Sequence, residues 1–323
     1  MGAGFWIAVV LGVVVVFGIL PVLVLSFIIY SVLLLRKGPD KWGRACTMPE
    51  DEEYFGMYKE GLAWGEKYAA AMRPVEVMSG KYHLVGEYFD FGGENAVLII
   101  AGRTEACKYS YYFAEPYRAK GFNVLVIDNR AHGLSDGRVS CLGYREYADI
   151  NAWVRFLTDK CGNRGVILHG ICIGSSTALF AATAQDAPRE ILGIVAEGMY
   201  KNFYESYKNH IILQGRPDFP FTQGVMLWIR LVSHANVVTD GPFRRIERLK
   251  KPICFIHSRV DEFSDPKFAQ MLYDKCTAPK RLVWFERGAH SRVRVNNPEQ
   301  YDATVTEFIE SVTAEDGAAI ASV

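Results

Sequence analysis

The stretch VILHGICIGSSTALF, residues 166–180, decides how the rest of the chain is interpreted. A short apolar run leads into GICIG, residues 170–174, and small residues with a helical pattern follow. This order predicts a buried strand, a sharp turn with Cys172 at its tip, and a helix that begins at once. The flanking glycines leave room for neighbouring backbone. The helix start favours a thiolate at Cys172, whereas the flanking isoleucines disfavour it by desolvation.

Two later loops supply the partners that a nucleophile needs. The apolar run ICFI, residues 253–256, precedes Asp261, and the run LVWF, residues 282–285, precedes His290. Each side chain follows a predicted strand, so both are expected in loops past the strands' carboxyl ends. We therefore interpret Cys172 as a nucleophile, His290 as its general base, and Asp261 as the carboxylate that orients the imidazole.

An oxyanion hole is predicted from backbone N–H groups on two sides of the turn. One donor is Ile173, directly after Cys172. The other comes from the loop AGRTE, residues 101–105, after the apolar run at 96–100, and Arg103 is the best candidate. Two such donors stabilise the negative charge that develops on an attacked carbonyl oxygen.

Apolar runs alternate with helical patterns from about residue 75 onward. Such alternation predicts an α/β fold with a mainly parallel sheet covered on both faces, after an antiparallel start. The aromatic-rich stretch 200–248 interrupts the rhythm and is predicted to be an inserted helical cap. The predicted strands lie at 75–78, 84–89, 96–100, 123–127, 166–168, 193–196, 253–256 and 282–285, and the predicted helices at 109–120, 144–157, 173–184 and 298–312.

The chain has 323 residues, with 36 Lys+Arg and 36 Asp+Glu, so its formal charge of zero argues against nucleic-acid binding. All of these charges fall after residue 35. Residues 1–35 are long and apolar enough for a transmembrane anchor, with surplus length that predicts a tilt or a kink at Pro21. A cleaved signal peptide is the alternative. The basic residues just after the span predict a cytoplasmic domain, and seven cysteines without C-x-x-C pairs agree with a reducing compartment.

The predicted organisation has four parts. Residues 1–35 form the anchor, and 36–70 form a linker with an amphipathic helix. Residues 71–313 form the main domain with its cap, and 314–323 form a flexible tail. No spacing typical of a metal site is present, so neither metal nor cofactor is predicted. His132, His169 and His257 are interpreted as structural, and oligomeric state is left open.

The sequence resembles the α/β-hydrolases over about residues 75–312. Four segments carry the resemblance: AGRTEA, DNRAHGLSDGR, HGICIGSS, and the pair HSRVDEFSD and RGAHSR. They are similar to the serine-aminopeptidase-like and lysophospholipase/monoacylglycerol-lipase branch, and to membrane-anchored bacterial hydrolases. Cys172 stands where this family usually has Ser. Dienelactone hydrolases also have Cys at this position. Ala101 and Ala131 replace a common His and Gly.

The resemblance implies a membrane-bound hydrolase of carboxylic esters or thioesters that acts through an acyl-enzyme. A thiolate leaves more readily than an alkoxide, which favours activated esters, lactones or thioesters over amides. The expected partners are a small acyl substrate and the lipid bilayer. Three alternatives stay open: a binding protein that has lost its chemistry, an acyltransferase, and a peptidase on the same three residues.

Overall fold

The structure, a computed structural model, describes residues 2–314 and contains one mixed sheet with helices on both faces. Its strands follow apolar runs and are buried on both sides at the centre of the sheet, and they are partly exposed at its two edges. They are β1 (Met72–Ser79), β2 (Tyr82–Phe89), β3 (Asn95–Ile100), β4 (Asn123–Ile127), β5 (Gly165–Ile171), β6 (Ile191–Glu197), β7 (Ile253–Ser258) and β8 (Lys280–Phe285).

The helices lie between these strands and before the sheet. The longest comes first and passes through a wider π-helical turn at Val15–Ile19, just before Pro21. They are α1 (Ala3–Leu34), α2 (Glu52–Lys67), α3 (Cys107–Ser110), α4 (Glu115–Ala119), α5 (Tyr147–Asp159), α6 (Ile173–Ala182), α7 (Phe203–Leu213), α8 (Phe221–Trp228), α9 (Pro242–Arg245), α10 (Pro266–Lys275), α11 (Val293–Asn296) and α12 (Pro298–Thr313).

The strand order is β1-β2-β4-β3-β5-β6-β7-β8. The first two pairings, β1 with β2 and β2 with β4, are antiparallel, and the remaining pairings are parallel. The predicted fold class, with its antiparallel start, is therefore confirmed. Because β5 to β8 are parallel neighbours, their carboxyl ends meet at one edge of the sheet, where Cys172, Asp261 and His290 follow them.

The sheet separates two apolar layers. Trp153 and Val154 of α5 are fully buried against one face, together with alternate strand residues such as Leu98. Tyr117 of α4 and Val305 of α12 are fully buried against the other face. The sheet is thus held rigid from both sides, which fixes the positions of the loops at its edge.

The cap consists of α7, α8 and α9, inserted between β6 and β7, and it packs on the second half of α1. The first half of α1, residues 3–21, is exposed on all sides, whereas Tyr30 and Leu34 are fully buried. The Trp228 Nε1–H donates to the Leu23 carbonyl over 3.0 Å, and the Tyr30 hydroxyl bonds to Ser233 over 3.1 Å. Half of this helix is thus part of the folded domain.

The segment after α1 is bound to the domain along its length. The Arg36 guanidinium donates to the Gly133 carbonyl, and Arg44 forms an ion pair with the buried Asp128. Trp42 stacks on His132 with ring centres 4.8 Å apart. The first part of the predicted 36–70 linker is therefore an ordered strap, residues 35–46, and α2 follows as the amphipathic helix. Most of the predicted tail, residues 315–323, lies outside the described residues.

Candidate active site

Cys172 occupies the turn between β5 and α6 in a conformation that side chains rarely adopt. Its φ of 55° and ψ of −118° are those of the first central position of a type II′ turn, where glycine is usual. The Cys172 N–H donates to the Glu197 carbonyl over 2.9 Å, and the Ser175 N–H donates to the Cys172 carbonyl over 3.1 Å. These bonds hold the strained residue at the tip of the turn.

Two glycines allow this turn to pack against its neighbours. A Cβ atom on Gly174 would lie 2.0 Å from the Ile100 carbonyl oxygen, and one on Gly170 would lie 2.3 Å from the Ser175 nitrogen. Both contacts are with backbone, which cannot swing away as a flexible side chain can. Any residue larger than glycine would therefore collide with backbone at both positions, as the GICIG pattern predicts.

His290 and Asp261 are brought together as the sequence predicts. The His290 Nδ1–H donates to Asp261 Oδ2 over 2.8 Å. The other carboxylate oxygen accepts the N–H groups of Phe263 at 2.9 Å and Ser264 at 2.7 Å. Burial raises the pKa of Asp261, but His290 and the Ser264 N–H lower it overall, so the carboxylate is charged at neutral pH.

The other side of the imidazole faces Cys172. His290 Nε2 is buried and has no hydrogen-bond acceptor or donor within residues 2–314 that satisfies normal geometry. Burial lowers the pKa of His290, but Asp261 and then Cys172 raise it, and the net pKa lies well above the usual value. Asp261 thus orients the imidazole on one side, and on the other side the raised pKa of His290 favours transfer of the Cys172 thiol proton to Nε2.

The two predicted oxyanion donors lie on segments next to Cys172, since a Cβ atom on Gly102, beside Arg103, would lie 3.6 Å from the Cys172 Cβ. Ile173 is the first residue of α6, so its N–H has no partner in the preceding turn of that helix. Arg103 lies in the β3–α3 loop, where its carbonyl accepts from His132 Nε2 and its guanidinium donates to the Leu33 carbonyl over 3.1 Å. The end of α1 therefore helps to fix the oxyanion loop.

The histidines predicted to be structural are all buried. His132 Nε2–H donates to the Arg103 carbonyl, with Nδ1 2.9 Å from the Arg130 carbonyl oxygen, and His257 Nε2–H donates to the Ser264 carbonyl over 2.8 Å. His169 lies in β5, two residues before Ile171, and burial lowers its pKa to about 3. It is therefore neutral and bonds to tyrosine hydroxyls on both sides.

Glu197 is a site residue that the sequence analysis did not single out. It is the last residue of β6, pairs in register with Ile171, and is fully buried. One carboxylate oxygen accepts the Tyr301 hydroxyl over 2.7 Å, and this hydroxyl also bonds to His169 over 3.0 Å. The signal was available, because Glu197 ends the apolar run ILGIVAE just as Asp261 and His290 follow theirs.

Burial raises the pKa of Glu197 to about 7, despite the Tyr301 hydrogen bond and the nearby His290, which lower it. The folded protein then holds a proton between about pH 4.5 and 7 that the unfolded chain has released. Protonated Glu197 therefore makes its complete contribution to the free energy of unfolding below about pH 4.5, and this contribution is lost as pH rises to 7.

Glu197→Gln is accordingly expected to remove this pH dependence. The free energy of unfolding of the variant, minus that of the wild type, should rise by on the order of 3 kcal/mol between pH 4.5 and pH 8. Urea unfolding across this range measures the difference. Glu190→Gln, on an exposed side chain just before β6, is the control and should leave the wild-type slope intact. Parallel pH profiles for wild type and Glu197→Gln would contradict the assignment.

A groove of about 480 Å³ runs beside Asp261 between α7 and the loop after β7, lined by Ile212, Leu213 and Val260 among others. A larger cavity, of about 840 Å³, is lined by Arg244 and Arg248 among others. Neither Cys172 nor its partners line it. The groove reaches the site at Asp261, and its lining combines apolar with charged side chains, but Cys172 and His290 are not part of it.

The sheet order, the turn at Cys172 and the Asp261–His290 pair define an α/β-hydrolase fold. Residues 95–218 match the family model described as alpha/beta hydrolase fold, which agrees with the fold of the structure. An uncharacterized Bacillus subtilis protein, YqkD, is 29% identical over 220 residues, which cover 68% of this chain and 72% of that protein.

Solved structures show the same fold. The Pyrococcus furiosus esterase PF2001 superposes with a TM-score of 0.63 at 22% identity, covering 76% of this chain and 93% of the esterase. The mouse alpha/beta hydrolase domain-containing protein 10 superposes with a TM-score of 0.58 at 15% identity, covering 75% of this chain and 100% of that chain. At these identities the likeness establishes the fold.

Proposed function

We propose that this protein is a membrane-anchored hydrolase that cleaves a carboxylic ester or thioester through an acyl-enzyme on Cys172. One observation carries the proposal: a cysteine in a strained turn faces the free nitrogen of a histidine whose other nitrogen is held by a buried carboxylate. Esterases among the proteins of similar fold support the reaction type.

In the proposed mechanism, His290 takes the proton of the Cys172 thiol, and the sulfur attacks the acyl carbonyl. The N–H groups of Ile173 and Arg103 bind the oxyanion, and Asp261 stabilises the imidazolium. His290 then gives its proton to the leaving group. Water activated by His290 attacks the acyl-enzyme and releases the acid. Because a thiolate is a good leaving group, the substrate's own leaving group must also be good, which favours thioesters and activated esters.

The anchoring part of the proposal rests on α1. Ala3–Leu34 is the one described helix that is long and apolar enough to cross a bilayer. The basic residues Arg36, Lys37, Lys41 and Arg44 follow it closely, so we propose that the catalytic domain is on the cytoplasmic side.

Acyl-enzyme capture tests the reaction. Full-length protein in detergent is mixed with p-nitrophenyl acetate, quenched in acid, and digested for peptide mass mapping. We expect p-nitrophenol release and one acetyl group on the peptide that contains Cys172. Release without any acetylation of that peptide would contradict the mechanism. No release from a panel of esters and thioesters would instead favour a binding protein, and product diverted to added alcohols or amines would favour an acyltransferase.

Asp261→Asn tests the role of the carboxylate. An amide cannot stabilise the imidazolium, so kcat/KM is expected to fall by about 10²–10⁴-fold. The limb of the pH–rate profile that reports His290 should also move to lower pH, because Asp261 is the largest influence that raises the pKa of His290.

The matched control is Glu262→Gln, which changes the exposed carboxylate next in sequence. It should retain both the rate and the pH profile of the wild type. A shifted profile in Glu262→Gln, or an unshifted one in Asp261→Asn, would assign the effect to general surface charge.

A further inference from the structure

The exposed apolar side chains of the domain are concentrated on the cap. Leu227 and Leu231 lie one turn apart on the same side of α8 and its continuation, and both are about half exposed, whereas the neighbouring Val232 is 39% exposed. Phe219, just before α8, is 71% exposed. We call Phe219, Leu227, Leu231 and Val232 the cap face. Contiguous exposed apolar residues in soluble proteins mark binding surfaces.

The cap face adjoins the apolar surface of α1. The Trp228 ring lies 4.9 Å from the Phe27 ring, and the Ser26 hydroxyl donates to the Phe221 carbonyl over 3.3 Å. A Cβ atom on Gly224 would lie 2.1 Å from Ser26 Oγ, so the two helices touch closely. Residues of α1 on the side away from this contact, including Ile28, remain exposed. Together the two helices present one apolar layer.

The length of α1 places this layer at the edge of a bilayer. A hydrocarbon core of about 30 Å needs about 20 residues, whereas α1 has 32. Residues 3–21 contact no part of the domain closely enough to be buried, and contact with α8 begins at about residue 22. The far boundary of the core then falls where α8 docks. Trp228 lies at this depth, and tryptophan is enriched at such boundaries.

The charges around the cap face favour lipid over a protein partner. Arg216 and Arg230 are exposed, and neither forms an ion pair with a described residue. The nearby acidic side chain of Asp218 is neutralised by Lys208 at 3.6 Å. Free guanidinium groups beside apolar residues are suited to phosphate groups above acyl chains.

We propose that the cap face is embedded in the interface of the leaflet next to the domain, with Arg216 and Arg230 at the level of lipid phosphates. This inference rests on the proposed anchoring by α1 and adds a second contact with the same bilayer. The groove beside Asp261 begins at Ile212 and Leu213, at the end of α7 that leads to Phe219. This places the end of the groove on the part of the chain that leads to the membrane-facing cap face.

Photolabelling tests this placement. Full-length protein is reconstituted in vesicles of phosphatidylcholine and phosphatidylglycerol that contain a phospholipid with a diazirine on its acyl chain. After irradiation, peptide mapping should find lipid adducts on α1 and on residues 219–232. Met78 and Leu134, exposed apolar residues elsewhere, should remain unlabelled. Adducts on α1 alone would overturn the inference, and their absence from α1 would overturn the anchoring itself. A dimer captured in the same vesicles by a bifunctional protein crosslinker and mapped to residues 219–232 would identify a second copy as the occupant and overturn the inference.

A double variant, Leu227→Asp with Leu231→Asp, tests the consequence for activity. Loss of two buried apolar contacts with lipid should lower hydrolysis of a long-chain p-nitrophenyl ester in vesicles by at least about tenfold. Hydrolysis of p-nitrophenyl acetate in detergent should stay within about twofold, which shows that the variant is folded. Met78→Asp is the matched control. Equal loss on both substrates, or no loss on either, would overturn the inference.

Discussion

Cys172→Ala is expected to lower kcat/KM for activated esters by at least about 10³-fold while the protein remains folded. Without the thiol no acyl-enzyme can form, and the oxyanion donors alone account for a small residual rate. The measurement is p-nitrophenol release by the purified full-length variant, followed at several enzyme concentrations. Cys46→Ala, which changes a half-buried cysteine of the strap, is the control and should hydrolyse the ester at the wild-type rate.

A second substitution at the same position separates chemistry from stability. The backbone of Cys172 has the dihedral angles of a glycine-favouring turn position, which costs about 1–3 kcal/mol for a residue with a side chain. Cys172→Gly should therefore abolish hydrolysis and raise the free energy of unfolding together. Loss of hydrolysis together with a gain in stability is expected when a functional residue is held in a strained conformation. If Cys172→Gly retained hydrolysis, the nucleophile would be another group, and the proposed mechanism would be wrong.

Deletion of residues 2–35 is expected to unfold the domain, whereas deletion of residues 2–20 is expected to leave it intact. The longer deletion removes Tyr30 and Leu34, both fully buried, and the loss of each costs about 2–5 kcal/mol. Their sum is comparable to the whole stability of a typical domain. The shorter deletion removes side chains that are exposed on every side, so it has no packing to lose.

Thermal unfolding followed by circular dichroism, together with hydrolysis of p-nitrophenyl acetate, measures both deletions. Leu34→Ala in the full-length chain is the intermediate case. It should lower the free energy of unfolding by about 2–5 kcal/mol without removing the Leu33 carbonyl that holds Arg103. If the variant that lacks residues 2–35 unfolded at the same temperature as the wild type, the packing of α1 on the cap would contribute nothing to the stability of the domain.

The strands β3 to β7 could be predicted because each contains an apolar run bounded by glycines or polar residues, which is typical of a buried parallel strand. Asp261 and His290 could be predicted because they follow such runs at the edge where parallel strands end. Glu197 obeys the same rule but is harder to identify, because it is the last residue of its strand, whereas Asp261 and His290 lie several residues beyond theirs.

The docking of α1 could not be derived from hydropathy, since lipid and a protein core favour the same residues. A weaker signal was present. Ser26, Tyr30 and Ser31, spaced at helical intervals, are buried in the contact with the cap or next to it. Polar side chains in an apolar helix point to a protein neighbour, but the neighbour lies about 200 residues away in sequence, and no local pattern identifies it.

This separation has a consequence for the order in which the protein is made. The helix leaves the ribosome first, yet Ser233, the partner of Tyr30, is synthesised 203 positions later. At 5–20 residues per second the interval is about 10–40 s. During that time the second half of α1 lacks the cap, and under the proposed anchoring the bilayer is the available cover. The helix would thus enter the membrane deeply and withdraw its last turns when the cap arrives to receive them.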